Sequence, residues 1–458
     1  MIENDAFKLL LINLFHLNPD DITNIVCTTF NKMMVLIVTL ADKHQACPYC
    51  GFTAPKIKEY VNKEITHSAL TTQKCIIKYR ARRYKCPCCR KTYYEFNPFV
   101  FKSQKISILT VHNILKDLKD FNETFTSVAR RYHVSPTSVS TIFDNHVDIG
   151  RNPLPEIINF DEVYAFKSEK SKYVCVLLDF KKQIPVDVLP NRKKEYLLNY
   201  FQKIPLEERK KVKYACSDMY EVYRDVVHKV FPEAKHLLDY FHLSQDFHKK
   251  MNEVRIKVMK GYKDNKASDE YYLLKKFNWL LFKNPEDEDK YGRLFDVERE
   301  RKYNSHFKSY MNYYDLRKKL LEINNDLTIC YSLKLELVDF YSKSTIDNAK
   351  VNLENLIRRF IDTNIEEMIK FSNNLINWKQ EIINSFTIVG TEYKVEADKG
   401  QVVVCNKKVN NAIIENRNKI IKCIKNNANG YTNWSRFRNR VMYVLDPSAT
   451  FSLEPREK

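Results

Sequence analysis

Four cysteines stand in two pairs of the same spacing, Cys47 and Cys50 in "CPYC" and Cys86 and Cys89 in "CPCC". Each Cys-x-x-Cys knuckle lets two sulfurs face one point, and two knuckles together supply the thiolate set of a structural Zn²⁺. The competing reading is four buried cysteines with no metal. A second group of residues is acidic. The run "IINFDEVYAF" places Asp161 and Glu162 inside an otherwise apolar strand, and a buried carboxylate is costly unless it is paired or holds a metal. Side chains alternate along a strand, so Glu162 must face away from Asp161, and only one of the two can be a ligand.

These residues need elements to position them. The text between the knuckles, "KCIIKYRARRYKC", is strand-like and can bring the second knuckle back to the first. Over residues 155–245, three consecutive strands are followed by helix, strand, helix, strand and a helix starting at Tyr240. That is the ribonuclease-H-like order, an α/β class with a mixed sheet. In it the first and fourth strands are neighbours, which brings Asp161 close to Asp218 at the end of the fourth. Two adjacent acids raise each other's pKa unless a divalent cation neutralises them, which points to a Mg²⁺ site. Residues 246–400 begin as a charged stretch poor in Gly and Pro and read as an all-helical insertion. Beyond it, Val409, Ala412, Ile413, Ile420 and Ile424 trace an apolar helical face, with Gly430 as a stop. Glu415 is the only carboxylate from Lys399 through Leu445, amid nine Lys or Arg between Lys407 and Arg440. It is either a third metal ligand or an i,i+4 partner of Lys419.

The chain carries 76 Lys+Arg against 57 Asp+Glu, a formal charge of +19, which favours a polyanionic partner over a compositional bias without purpose. The positive charge is clustered. Between Lys74 and Lys105 ten Lys or Arg face a single acid, Glu95, with Tyr79, Tyr84, Tyr93 and Tyr94 interleaved, and Arg82, Arg83 and Lys85 are candidate DNA contacts. In "FTSVARRYHVSPTSVSTIF", the apolar positions Val128, Ala129, Val134, Val139 and Ile142 fit two helices around a turn ending at Pro136. A helix-turn-helix of this kind would direct Thr137, Ser138 and Ser140 into a major groove, with Arg130 and Arg131 beside them. His133 stands where such turns often carry Gly, and a helical hairpin without DNA contact is the alternative. Lys419 and Lys422 are the basic candidates near Glu415.

The N-terminus lacks a signal-peptide pattern and no apolar run is long enough to span a membrane, so a cytoplasmic protein with no membrane partner is expected. Twelve cysteines in a reducing compartment are then ligands or core residues rather than disulfides. Neither a GxGxxG nor a GxxxxGK[ST] occurs, so a nucleotide cofactor is not expected. The organisation reads as a zinc-binding region over 1–105, a helix-turn-helix over 106–150, the first part of a catalytic core over 155–245, the insertion over 246–400, the last core helix with its basic continuation over 401–445, and a tail over 446–458.

Taken in order, the two knuckles, the helix-turn-helix, "FDEVYAF", "SDMYEVYRDVVHKVFPEAKHLLDYFHL" and the basic helix around Glu415 resemble the ISL-three family of insertion-sequence transposases, enzymes of the DDE class. The resemblance spans nearly the whole chain. It implies a ribonuclease-H-like catalytic domain split by a helical insertion, with Asp161, Asp218 and Glu415 as the catalytic triad holding two Mg²⁺ or Mn²⁺ ions, besides one structural Zn²⁺. It further implies binding to double-stranded DNA at inverted repeats, cleavage, strand transfer to target DNA, and at least a homodimer on DNA. Asp239 and His242 in "DYFH" are possible supporting residues, and Asp239 is equally a helix cap. Two positions depart from the family pattern: Asn416 follows the final Glu where Gly is common, and Tyr240 precedes Phe241 where Arg is common. The rival readings are a domesticated DNA-binding regulator and a hydrolytic nuclease on the same fold.

Overall fold

Strand β4 (Cys75–Lys85) shows how the N-terminal region forms: Cys75, Ile77, Tyr79 and Ala81 recur with period two and are all buried. The computed structural model describes residues 2–43, 46–101, 104–166, 171–395 and 402–456. Helix α1 (Ile2–Leu14) packs on a sheet of order β1-β2-β4-β3, built from β1 (Ile22–Phe30), β2 (Met33–Leu40), β3 (Lys56–Thr66) and β4, with β5 (Thr92–Tyr94) paired to β4. Asn31 and Lys32 join β1 to β2 with φ of 48° and 60°, the left-handed pair that suits a tight hairpin.

Three helices follow: α2 (Ile108–Asp117), α3 (Phe125–Arg131) and α4 (Pro136–His146). Each starts on a hydroxyl cap, Ser107, Thr124 and Ser135, and Pro136 occupies the first turn of α4. Ala129 is buried where α3 meets α4. His133 adopts φ 54°, the conformation for which glycine is commonly used, and its Nε2 lies 3.2 Å from the Thr71 carbonyl.

The central sheet contains β6 (Ile157–Val163), β7 (Val174–Asp179), β8 (Pro185–Leu189), β9 (Tyr214–Ser217) and β10 (Lys235–Leu238), in the order β10-β9-β6-β7-β8. Strands β6, β7 and β8 form an antiparallel meander, whereas β9 and β10 run parallel to β6. Helices α5 (Lys194–Gln202), α6 (Leu206–Arg209) and α7 (Glu221–Val230) are interleaved with these strands. Helices α5 and α7 cover one face, around Phe160, Phe201, Tyr223 and Phe231. Helices α15 (Ala412–Asn427) and α16 (Trp434–Leu445) cover the other, around Val163, Val176, Ile414, Ile421 and Val441. This sandwich explains why β6 is nearly all apolar: both of its faces are buried.

The inserted region runs from α8 (Tyr240–Lys260) through α9 (Asp269–Lys276), α10 (Tyr313–Glu322), α11 (Asn325–Lys343), α12 (Ala349–Asp362), α13 (Glu366–Asn377) and α14 (Lys379–Asn384). It is not all-helical. Short ribbons pair β11 (Glu288–Asp289) with β12 (Gly292–Arg293) and β13 (Lys302–Asn304) with β14 (Ser309–Met311), and a longer hairpin pairs β15 (Ile388–Val395) with β16 (Val402–Lys408). The short ribbons β11–β12 and β13–β14 are polar and mostly exposed, so they carry little of the alternation that marks a half-buried strand.

The apolar face expected on α15 is also displaced. Ile414, Asn418, Ile421 and Ile424 are the buried positions, Ile413 and Ile420 are half-buried, Ala412 is exposed, and Val409 packs ahead of the helix. Asn418, a polar residue, shares this inward face with Ile414, Ile421 and Ile424 and bonds a buried carboxylate. Residues 446–456 lie against α4, where His146 Nδ1 is 2.7 Å from the Ser452 carbonyl. Among the described residues no helix is long and apolar enough to cross a membrane.

Candidate active site and zinc centre

The two cysteine knuckles are folded alike. The Cys47 carbonyl accepts from Gly51 N at 2.9 Å and the Cys86 carbonyl from Arg90 N at 3.0 Å, while Cys47 N donates to Phe52 O and Cys86 N to Lys91 O. Gly51 and Arg90 both take positive φ, 75° and 61°, so the second knuckle imposes on an arginine the turn that the first assigns to glycine. The four sulfurs converge: Cys47 lies 3.6 Å from Cys89 and Cys50 3.5 Å from Cys86. A tetrahedron with Zn–S bonds of ~2.3 Å has an edge of about 3.8 Å, so the donor set fits one zinc ion.

The acidic site follows from strand register. Parallel pairing of β6 with β9 sets Asn159 beside Cys216, and pairing of β9 with β10 sets Ser217 beside Leu238. Continued along the strands, the same offsets set Asp161 level with Asp218, and Asp218 level with Asp239, whose N–H extends the ladder to Ser217 O at 3.0 Å. Asp161 lies inside β6, while Asp218 and Asp239 immediately follow β9 and β10, so the three fall on one line across adjacent parallel strands. The fourth acid comes from α15, where Glu415 in the first turn lies 3.9 Å from His242 Nε2, and His242 lies 4.0 Å from Asp239 Oδ2.

Burial dominates the electrostatics. It pushes the Asp161 carboxyl up to about 7, opposed by a hydrogen bond from Glu162 N–H and reinforced by the charge of Asp218. It pushes Asp218 up to about 6, with His242 pulling the other way, and it also raises Asp239. Asp218 Oδ1, Asp239 Oδ2 and His242 Nε2 are buried and have no hydrogen-bond partner. Buried acceptors without donors are rare in folded proteins. An acid-rich set with vacant lone pairs fits divalent cations.

Asparagines that sequence reasoning passed over hold α15 in place. Asn159 Nδ2 donates to Asn411 Oδ1 at 2.7 Å and to Asn410 O at 2.8 Å, Asn411 Nδ2 reaches Phe160 O at 3.3 Å, and Asn418 Nδ2 donates to Asp161 Oδ2 at 2.8 Å. Asn411 N donates to Asp239 Oδ1 at 3.2 Å. Asp239 precedes α8 as its cap residue, yet its side chain makes no capping bond; it is turned toward α15 instead. The available signal was spacing, since Asn411, Glu415 and Asn418 fall on one helical face. Glu162 is directed away from Asp161, as the alternation requires, and forms an ion pair with Arg192.

The candidate DNA contacts divide into two kinds. Arg82 is tied to Glu95 at 2.8 Å and to the carbonyls of Leu40 and Ala41, Arg83 to Glu59 at 2.7 Å, and Arg131 to Asp117 and Glu123. Ser138 bonds the capping Ser135 at 2.8 Å and Ser140 is half-buried. Lys85, Arg130, Thr137, Lys419 and Lys422 are exposed.

Compared with known protein families, residues 158–397, just over half of the chain, match the DDE-class transposase family of ISL3 type. The chain belongs to the ISL-three transposase family. The matched span covers Asp161, Asp218, Asp239 and His242 and ends before Glu415, so Glu415 is placed in the site by α15 alone. No curated protein matches the chain. Family membership, the four-cysteine cluster and the Asp/His/Glu cluster together are consistent with a DDE-type, metal-dependent chemistry and a zinc-binding N-terminal module.

Proposed function

We propose that this chain is an active DDE transposase: it binds the terminal inverted repeats of its own element as double-stranded DNA, cleaves at the element ends and joins the freed 3′-hydroxyls to target DNA. The observation that carries the proposal is the parallel register that sets Asn159 of β6 beside Cys216 of β9, together with the charges of Asp218 and Glu415 acting on the buried Asp161. The strand order β10-β9-β6-β7-β8, with its antiparallel meander and parallel flank, supports a ribonuclease-H-like reading of the core. Asp161, buried between its neighbours, is the central ligand, and Asp218 and Glu415 hold the two sides. Divalent ions bound there, Mg²⁺ or Mn²⁺, supply charge neutralisation for in-line phosphoryl transfer.

The protein's own contribution is positioning. The asparagine bonds fix Glu415 relative to the sheet, and the exposed Lys419 and Lys422 on the same helix offer charge to the DNA backbone. The α3–α4 pair, with Thr137 exposed at the start of α4, is the element we assign to reading the repeat. Synapsis of two ends requires at least two copies on DNA, and the protein acts in the cytoplasm.

The test is an oligonucleotide duplex carrying one element end, incubated with full-length protein and Mg²⁺. Glu415→Gln keeps size and hydrogen-bonding capacity while removing charge. Cleavage and joining should both fall by about 10³-fold or more, with end binding retained. Near-normal cleavage by the variant would overturn the assignment. Cleavage without joining by the parent protein would identify a nuclease, and binding without either a regulator.

A further inference from the structure

Asp239 and His242 are not needed to complete an Asp161–Asp218–Glu415 triad, yet with Glu415 they form a compact group of metal-ligating side chains. One donor atom each from Asp239, His242 and Glu415 lie within 4.8 Å of one another. Asp239 is 3% exposed, and its Oδ2 has no partner although Oδ1 is bonded by Asn411 N. His242 Nε2 is equally buried and unpartnered. His242 stands among the acids of the site, with Glu415 3.9 Å and Asp239 4.0 Å from its Nε2. A histidine meant as a structural partner would hydrogen-bond one of those carboxylates. Instead its nitrogen stands 3.9 and 4.0 Å from the two nearest, beyond hydrogen-bond reach and within the span of two bonds to one ion.

We infer that Asp239 and His242 are direct ligands of one divalent ion shared with Glu415, and that this position selects a transition-metal ion over Mg²⁺. The inference rests on the transposase reading only for Glu415's membership of the catalytic set. The chemistry of selection is that of the donors. Mg²⁺ favours oxygen ligands at ~2.1 Å and sheds water reluctantly, whereas imidazole nitrogen suits the later divalent ions, with affinity rising from Mn²⁺ toward Zn²⁺. Two ions held there would therefore be inequivalent: Asp161 and Asp218 would offer one of them oxygen alone, and Asp239, His242 and Glu415 would offer the other a mixed nitrogen and oxygen set.

Mn²⁺ is the probe, because an imidazole ligand imprints a ¹⁴N coupling on its pulsed electron paramagnetic resonance signal. Full-length, zinc-loaded protein titrated with Mn²⁺ should show that coupling, and His242→Gln should lose it. The same variant should weaken Mn²⁺ binding by calorimetry about tenfold or more while changing Mg²⁺ binding less than about threefold. Asp239→Asn should weaken Mn²⁺ binding and retain the nitrogen coupling of the residual bound ion. Absence of ¹⁴N coupling in the parent, or its persistence in His242→Gln, overturns the inference. So does loss of DNA-end affinity in His242→Gln with metal binding intact, which would make His242 a phosphate contact. None of these readouts depends on strand cleavage. A protein that cleaves with Mg²⁺ but lacks the coupling refutes this inference alone.

Discussion

Replacing Asp161 by asparagine should make the metal-free protein more stable at pH 8 while destroying its response to Mg²⁺. Burial lifts this carboxyl from an ordinary 3.8 to about 7. The folded protein therefore keeps a proton that the unfolded chain releases. Stability from this group is fully present below the unfolded value and is lost as pH rises through about 7. At ~1.4 kcal/mol per pH unit, holding the group ionised above pH 7 costs the fold up to about 4 kcal/mol. The neutral substitute avoids that cost. Its amide also has a partner in place, because Asn418 Oδ1 is buried and unbonded, and a flip of the Asn418 amide would present it. Urea unfolding without added divalent ion should show the variant more stable at pH 8 by about 1–4 kcal/mol, with the gap narrowing below pH 7 and closing only near the unfolded value of 3.8. Mg²⁺ should raise the parent's midpoint at pH 8 and leave the variant's unchanged. A variant less stable than the parent at pH 8, or a gap independent of pH, would refute the claim that Asp161 is a desolvated acid awaiting a cation.

Cys86→Ser removes one of four converging sulfurs, so elemental analysis should show loss of the bound zinc, and end binding should weaken with it; a zinc-free parent with an intact N-terminal fold would contradict this. Asn411→Ala breaks bonds to Asn159 and to Phe160 O and should cost about 2–3 kcal/mol in urea unfolding. Because it frees the start of α15, it should also lower Mg²⁺ affinity, an effect that a purely structural loss elsewhere in α15 would not produce.

The strands of the core and the two knuckles were legible because their signals are local: period-two burial, apolar runs between turns, and fixed ligand spacing. Asp161 stood out for the same reason, as a charge where a strand should be apolar. Asp239 was harder to assign, since a carboxylate before a helix is usually its cap, and only the fold shows this one turned toward α15. Arg82 and Arg131 read as DNA contacts because charge is visible in sequence and partners are not. Glu95 is close in the chain to Arg82, but Asp117 reaches Arg131 only once α2 has packed on α3. On α15 the buried Ile414 and Ile421 are apolar and legible in the sequence, whereas the inward turn of Asn418 is not, because hydrophobicity carries no signal for a polar side chain that bonds a buried acid.

The inserted region explains how a ligand so distant in sequence can be held in register. A long flexible insertion costs little in loop entropy, but it would leave its far end undefined. Here both ends are anchored at the sheet. On the outgoing side Leu238 at the end of β10 belongs to the insertion's core, and Tyr240, where the family pattern has Arg, packs its ring 3.8 Å from that of Tyr341 on α11. On the returning side Asn384 of α14 donates to His236 O of β10 at 2.9 Å, and Lys408 Nζ bonds Tyr341 O at 3.3 Å. Val409 then enters the core beside Ile157, Cys216 and Leu237, two residues before the Asn411 contacts begin. The edge strand β10 is covered by the same packing, which protects an otherwise open sheet edge. Glu415 is therefore positioned by a closed chain of contacts from β10 through α11 and α14 to α15. The packing of the insertion against β10, rather than proximity in sequence, brings the third carboxylate back to the sheet.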